Sequence, residues 1–134
     1  MSMFRFLICY IIMILGLFNI YAQDIEPISV INIPKDVKDY FRIWGKEHNT
    51  CMRSGLVVLS PLKDVGEHST ENFEELIIPL EGQGKMLING KEYFFSKDKI
   101  LHINTHTKHN VFNISKKDML RYIYIVADNK CHKN

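Results

Sequence analysis

The chain has 134 residues, 46% of them hydrophobic and 24% charged, with 17 basic residues against 15 acidic ones. That is the size and balance of one globular domain, and it excludes a disordered or fibrous chain. A charge this close to neutral excludes electrostatic steering toward nucleic acid or an anionic membrane.

The first 22 residues have the order of a secretory signal peptide. Arg5 gives a charged start, the 13 residues Phe6 to Phe18 are almost wholly apolar, and small Ala22 precedes Gln23. Such a run falls short of the roughly 20 residues that a spanning helix needs. The expectation is cleavage near Ala22 and a secreted or periplasmic protein with no membrane segment after the cut. An uncleaved anchor, lengthened by residues 19–22, is the alternative. Cys9 lies inside the apolar run rather than at its end, so it does not read as a lipid-attachment site. Loss of Arg5 leaves 16 basic residues against 15 acidic ones. Cys51 and Cys131 remain, and export permits a disulfide between them. Two unpaired thiols are the other reading, because sequence does not bring the two within bonding distance.

Residues 24–33 read as a first strand ended by Pro34. Val37, Tyr40, Phe41 and Trp44 recur at spacings of three and four, which predicts a short helix over 35–44, and 45–54 reads as a polar loop. Together residues 23–54 form an N-terminal strand and cover segment. From residue 55 to 127 the pattern is β throughout. Short apolar runs fall at 56–59, 76–80, 85–88, 91–95, 100–104, 110–114 and 119–126, with turn residues between them. Asn89-Gly90 between two of these runs is a strong hairpin signal, because both central residues take positive φ. Regular short strands of this kind predict an all-β sandwich or barrel. Residues 128–134 are a polar tail.

Chemistry concentrates around two histidines. His68 is followed by polar Ser69-Thr70-Glu71-Asn72 and then by Glu75, seven residues on. On an unbroken strand an odd spacing puts two side chains on opposite faces, so the polar stretch must reset the face for Glu75, Ile77 and Pro79 to join His68. Further on, His109, Val111 and Asn113 alternate onto one side. Two neutral imidazoles and a carboxylate suit a divalent transition metal and leave coordination positions open. The bland readings are an exposed loop histidine for His68, a strand-edge charge for Glu75 and a hydrogen-bonded structural histidine for His109. His102 reads as a satisfied core residue, and His48 and His132 as solvated. Trp44 reads as core or cover, and Tyr93, Phe94 and Phe95 as sheet packing.

These motifs resemble the small single-domain cupins, of the RmlC-like jelly-roll superfamily. The first cupin motif carries a glycine, two histidines separated by one residue, a glutamate and a later glycine. Here His68 stands at the first histidine, and Gly82 follows Glu75 with six residues between. The second motif opens at a glycine, here Gly90, and closes His-x-x-x-Asn, here His109 to Asn113. The resemblance implies a jelly-roll, or double-stranded β-helix, barrel. It implies an interior metal of unassigned identity (iron, manganese, nickel or zinc) held by His68, Glu75 and His109. It implies a small-molecule ligand or substrate, and a homodimer that pairs or exchanges edge strands such as 28–33. The chain departs from the pattern at Thr70, where the second histidine belongs. Thr70 is then a supporting residue or a weak extra ligand, and His106 is a compensating one. Ser96, Asp98, Asn104 and Thr105 replace prolines or a glycine, which affects turns. Two functions follow. One is a metal-dependent oxygenase, isomerase or lyase, with Glu75 a base only if it is no ligand and Glu74 or His106 as weaker bases. The other is a non-catalytic module for a sugar or small acid. A metal-free structural barrel is the default against both.

Overall fold

The computed structural model describes residues 28–48, 51–128 and 130–131. The proposed signal segment and His132 lie outside them. Residues 31 onward form one compact unit. Before it, residues 28–30 are exposed and form no strand.

Nine strands occur among the described residues: β1 (Tyr40–Trp44), β2 (Met52–Leu59), β3 (His68–Ser69), β4 (Phe73–Glu81), β5 (Gln83–Ile88), β6 (Lys91–Ser96), β7 (Leu101–Ile103), β8 (Lys108–Asn113) and β9 (Leu120–Asp128). They build two antiparallel sheets, one ordered β1-β2-β9-β4-β7 and the other β3-β8-β5-β6. The all-β expectation therefore holds. The core lies between the sheets, where Ile77, Ile103, Leu120 and Tyr122 of the first meet Met86, Phe95 and Val111 of the second. Each fully buried aliphatic side chain contributes on the order of 1.5–3 kcal/mol to that packing.

Three expectations near the start are corrected. Residues 28–33 form no strand, and Ile28 and Val30 are exposed. The helix over 35–44 does not form: a turn at Lys35-Asp36 precedes β1, which pairs with β2 through Tyr40↔Val57 and Phe41↔Leu56. Tyr, Phe, Ile and Trp in succession suit a pleated surface, and pairing with β2 outweighs a helix-like spacing of apolar residues. The loop over 45–54 is shorter than expected, a 3-10 turn at Lys46–His48 followed by β2 from Met52.

Further along, the turn chemistry holds. Asn89 and Gly90 take φ of 50° and 78° and close the two-residue β5–β6 hairpin. Gly82 takes φ of 83° where the chain passes from β4 in one sheet to β5 in the other, and a Cβ there would collide with the Met119 carbonyl. Cys51 and Cys131 are disulfide-bonded with Cα atoms 5.7 Å apart, tying the segment before β2 to the one after β9. The Asp128 amide donates to the Cys51 carbonyl at 2.9 Å beside them.

Candidate metal centre

Two crossings between the sheets assemble the site. The first runs from β3 to β4. Glu71 takes φ of 49° there, and the Phe73 amide donates to the Thr70 carbonyl at 2.9 Å. That turn resets the face and changes sheet, so His68 and Glu75 meet from opposite walls of the interior. The second runs from β7 to β8, with His106 at φ of 55°. It delivers His109 directly opposite His68 in the β3–β8 pair. Alternation then buries Glu75, Ile77 and Pro79 on β4 and His109, Val111 and Asn113 on β8, as the sequence predicts.

The donor atoms of His68, Glu75 and His109 all lie within 4.8 Å of one another. That is close to the roughly 4 Å that one ion spans with bonds of about 2.0–2.2 Å. His109 is 1% exposed and Glu75 7%, whereas His68 stands at the solvent side. Both imidazoles are oriented alike. His68 Nδ1 donates to the Gly66 carbonyl at 2.9 Å, and His109 Nδ1 donates to the Thr107 carbonyl at 3.2 Å. A carbonyl only accepts, so each Nδ1 carries a proton, and in the neutral form of each ring Nε2 is the nitrogen with a free lone pair. Glu75 Oε2 lies 3.3 Å from His109 Nε2, yet Nε2 is buried and makes no hydrogen bond. A buried ring nitrogen left in this state is costly. Burial works against charging His109, but Glu75 and the Thr107 carbonyl outweigh it and hold its pKa above the ordinary 6.5.

The Thr70 hydroxyl is taken up by the backbone of the neighbouring turn. It donates to the Asn104 carbonyl at 2.7 Å and accepts from the Thr107 amide at 2.9 Å. The Thr70 amide donates to the Thr107 carbonyl at 3.2 Å, and the His106 amide to the Glu71 carbonyl at 2.7 Å. Thr70 thus fastens the two crossing turns that lead into Glu75 and His109. The expected compensation by His106 is corrected: that residue is exposed and is not among the residues lining the cavity. Glu74 also points away from the cavity, paired at 3.1 Å with His102. His102 is exposed, not the core residue its apolar neighbours suggest, because alternation on β7 buries Ile103 instead. His48 stacks on Trp44 with ring centroids 3.8 Å apart. Of the aromatic run, Phe95 is core, while Tyr93 and Phe94 are exposed. Asn113 is structural: its amide donates to the carbonyls of Leu59, Ser60 and Asp118.

The triad opens into a cavity of about 360 Å³. Sequence reasoning missed most of its wall. Arg53, Val57, Phe73, Tyr122, Tyr124 and Val126 line it, with Tyr40 at the rim. The Tyr40 and Tyr124 hydroxyls are 3.0 Å apart. Their rings lie over Gly55, where a Cβ would come within 2.7 Å of Tyr40 and 2.8 Å of Tyr124. Burial first, and then the Glu75 charge, pushes the Tyr122 hydroxyl above the usual tyrosine range. Burial, the Tyr40 contact and nearby charge do the same for Tyr124. At neutral pH these hydroxyls are donors, not bases. The start of β2 falls inside the segment 45–54 whose polar composition reads as a loop, which hides its alternation.

A family profile described as a cupin domain matches residues 55–126. No curated protein matches the chain. Solved structures resemble it in fold. The cupin domain of Schizosaccharomyces pombe Cnp3 superposes with a TM-score of 0.61 at 15% identity, over 68% of this chain and 64% of that one. The chain thus spans less than two thirds of that domain's length. A cupin 2 conserved-barrel protein from Salinispora arenicola gives 0.65 at 14% identity, over 78% of this chain and 92% of that one. An RmlC-like cupin family protein with a double-stranded β-helix fold, from Methanocaldococcus jannaschii, gives 0.63 at 15% identity, over 77% and 93%.

Proposed function

The chain belongs to the cupin family, and from that premise we propose that its barrel binds a divalent transition metal through His68 Nε2, His109 Nε2 and the Glu75 carboxylate, and takes a small molecule in the adjoining cavity. The observation that carries this reading is His109 Nε2, a buried nitrogen with a lone pair and no hydrogen bond, aimed at a carboxylate and a second imidazole. Two imidazoles and one carboxylate are a donor set for iron, manganese, nickel or zinc. When bound, such an ion polarises a carbonyl or acidifies a water, as in oxygenases, isomerases and lyases of this kind. The chain's own part is to hold both rings in one tautomer through Gly66 and Thr107, and to wall the site with apolar side chains. The second reading is binding without turnover. It is favoured by the lack, among the described cavity residues, of a carboxylate or imidazole beyond the three proposed ligands.

Export is part of the proposal. The order of residues 1–23 supports it, and so does the Cys51–Cys131 pair, since structural disulfides persist in oxidising compartments. Cell fractionation with an antibody to the chain tests it, and cytosolic recovery of the uncut chain would overturn it.

Elemental analysis of the purified protein tests the metal. Near-stoichiometric metal, lost in His68→Ala and His109→Ala, is expected. No metal in the parent, and none taken up on addition of zinc, manganese or iron(II), would overturn the reading. Turnover of a small-molecule panel by the loaded protein then separates enzyme from binding module.

A further inference from the structure

The cavity wall opposite the second sheet carries a charge that no carboxylate among the described residues pairs with. Arg53 lies on β2 and lines the cavity. It is half-buried, and its guanidinium sits 4.2 Å from the centre of the Phe73 ring. Among the described residues it forms no ion pair and no hydrogen bond. Arg53 pairs with Val126, which pairs with Glu75, so the three form one row across the sheet. Neighbouring strands lie about 4.8 Å apart, which puts the Arg53 and Glu75 backbones about 10 Å apart with the cavity above them. That span suits a small molecule held between the guanidinium and the triad.

Outside the triad, the Ser69 and Thr70 hydroxyls are engaged with the turn backbone, and the tyrosine hydroxyls are donors. Tyr122 is 3% exposed, lines the cavity, and its hydroxyl has no hydrogen-bond partner among the described residues. In the Tyr40–Tyr124 pair one hydroxyl donates to the other, which leaves one proton free. Apart from the triad and the Ser69-Thr70 turn, the rest of the wall is apolar, built from Val57, Val65, Val111 and Val126 beside Phe73. Away from the triad, a wall with tyrosine donors, one guanidinium and apolar sides complements an acceptor that carries a negative charge on an apolar body.

We propose that Arg53 anchors a ligand carboxylate, and that the site takes small monocarboxylic acids of apolar body. A guanidinium matches a planar carboxylate with two parallel hydrogen bonds. A sugar leaves that charge unanswered. The inference rests on the reading of this cavity as a small-molecule site beside the triad.

Ligand-observed NMR tests it on the full mature chain, with benzoate, phenylacetate and isovalerate each set against its primary amide. Metal content is measured on the same samples. The expected result is preference for a carboxylate over its amide, reduced about tenfold or more in Arg53→Gln with metal content unchanged, and partly kept in Arg53→Lys. Arg53→Met, which keeps a long stem over Phe73, is the second variant should Arg53→Gln fold poorly, and circular dichroism checks both. A preference that survives both substitutions comes from the metal and overturns the Arg53 anchor. So does full metal content with no carboxylate bound. Carboxylate binding that depends on Arg53 in protein that takes up no metal supports the anchor and overturns the metal reading alone.

Discussion

Replacement of Thr70 by valine separates a fastening role from a ligand role. The two side chains have nearly the same shape, and Thr70 is 5% exposed, so packing is kept. What is lost is the hydroxyl, with one bond given to Asn104 and one received from Thr107. A buried hydrogen bond contributes about 1 kcal/mol net, and a stranded partner costs about 1–3 kcal/mol. Thr70→Val therefore lowers unfolding stability by about 2–4 kcal/mol. Thr70→Ser keeps both bonds and loses only a methyl, about 1 kcal/mol. Urea denaturation of the oxidised, metal-free protein measures both. Metal uptake by Thr70→Val also weakens, since the Thr107 carbonyl that orients His109 sits on the turn this hydroxyl fastens. Thr70→His supplies the side chain the cupin pattern expects, yet it breaks the same bonds and lowers stability too. Thr70→Val within about 0.5 kcal/mol of the parent, the usual scatter of neutral surface changes, would refute the fastening argument. A Thr70→His protein that is both more stable and richer in metal would refute it as well.

Stability should respond to pH in opposite directions with and without metal. The His109 pKa is raised above 6.5 in the metal-free fold, against burial, by Glu75 and the Thr107 carbonyl. A raised pKa stabilises fully below the unfolded value, and that contribution fades as pH rises through the folded pKa. Metal requires the neutral ring, so its contribution grows over the same rise. Thermal melts from pH 5.5 to 8.5 should show the difference between loaded and metal-free protein widening with pH; a constant difference would count against His109 as a ligand. Gly55→Ala drives a Cβ into the Tyr40 and Tyr124 rings and should cost about 1–3 kcal/mol in urea, with a changed near-ultraviolet tyrosine signal. Reduction of the Cys51–Cys131 bond, which spans 80 residues of chain, should remove about 2–4 kcal/mol without changing the far-ultraviolet spectrum. An unchanged urea midpoint after reduction would show that the pair does not restrain the unfolded chain.

The parts of this molecule that sequence made legible are those in which local chemistry and the final fold agree. Asn89-Gly90 needs positive φ wherever it stands between strands, and alternation about Ile77 and Val111 names the buried face with no knowledge of the partner sheet. The parts that were not legible depend on pairing across the chain. Tyr40 to Trp44 carries helix-like spacing, and only β2, which pairs with it across the intervening loop, makes it a strand. His102 reads as core because Leu101 and Ile103 flank it, but on a strand the flanking residues face the other way. Two residues of β3 are too short to leave any periodic trace, yet they set His68 opposite His109.

The same distinction governs the site. The triad was legible because its three residues sit in motifs with fixed spacing, and a fixed spacing survives whatever the neighbours do. The cavity wall was not, because Arg53, Gly55, Tyr122 and Tyr124 come from β2 and β9, which are neighbours only in the sheet. No spacing rule joins residues 53–55 to residues 122–124. Yet that wall is where one cupin can differ from another, since metal ligands alone do not choose a substrate. Thr70 shows how the two halves connect. Its hydroxyl does no coordination and instead locks the turn that aims His109 to the turn that precedes Glu75. Where the cupin pattern has a second histidine, this chain therefore has a side chain that makes two hydrogen bonds between the turns.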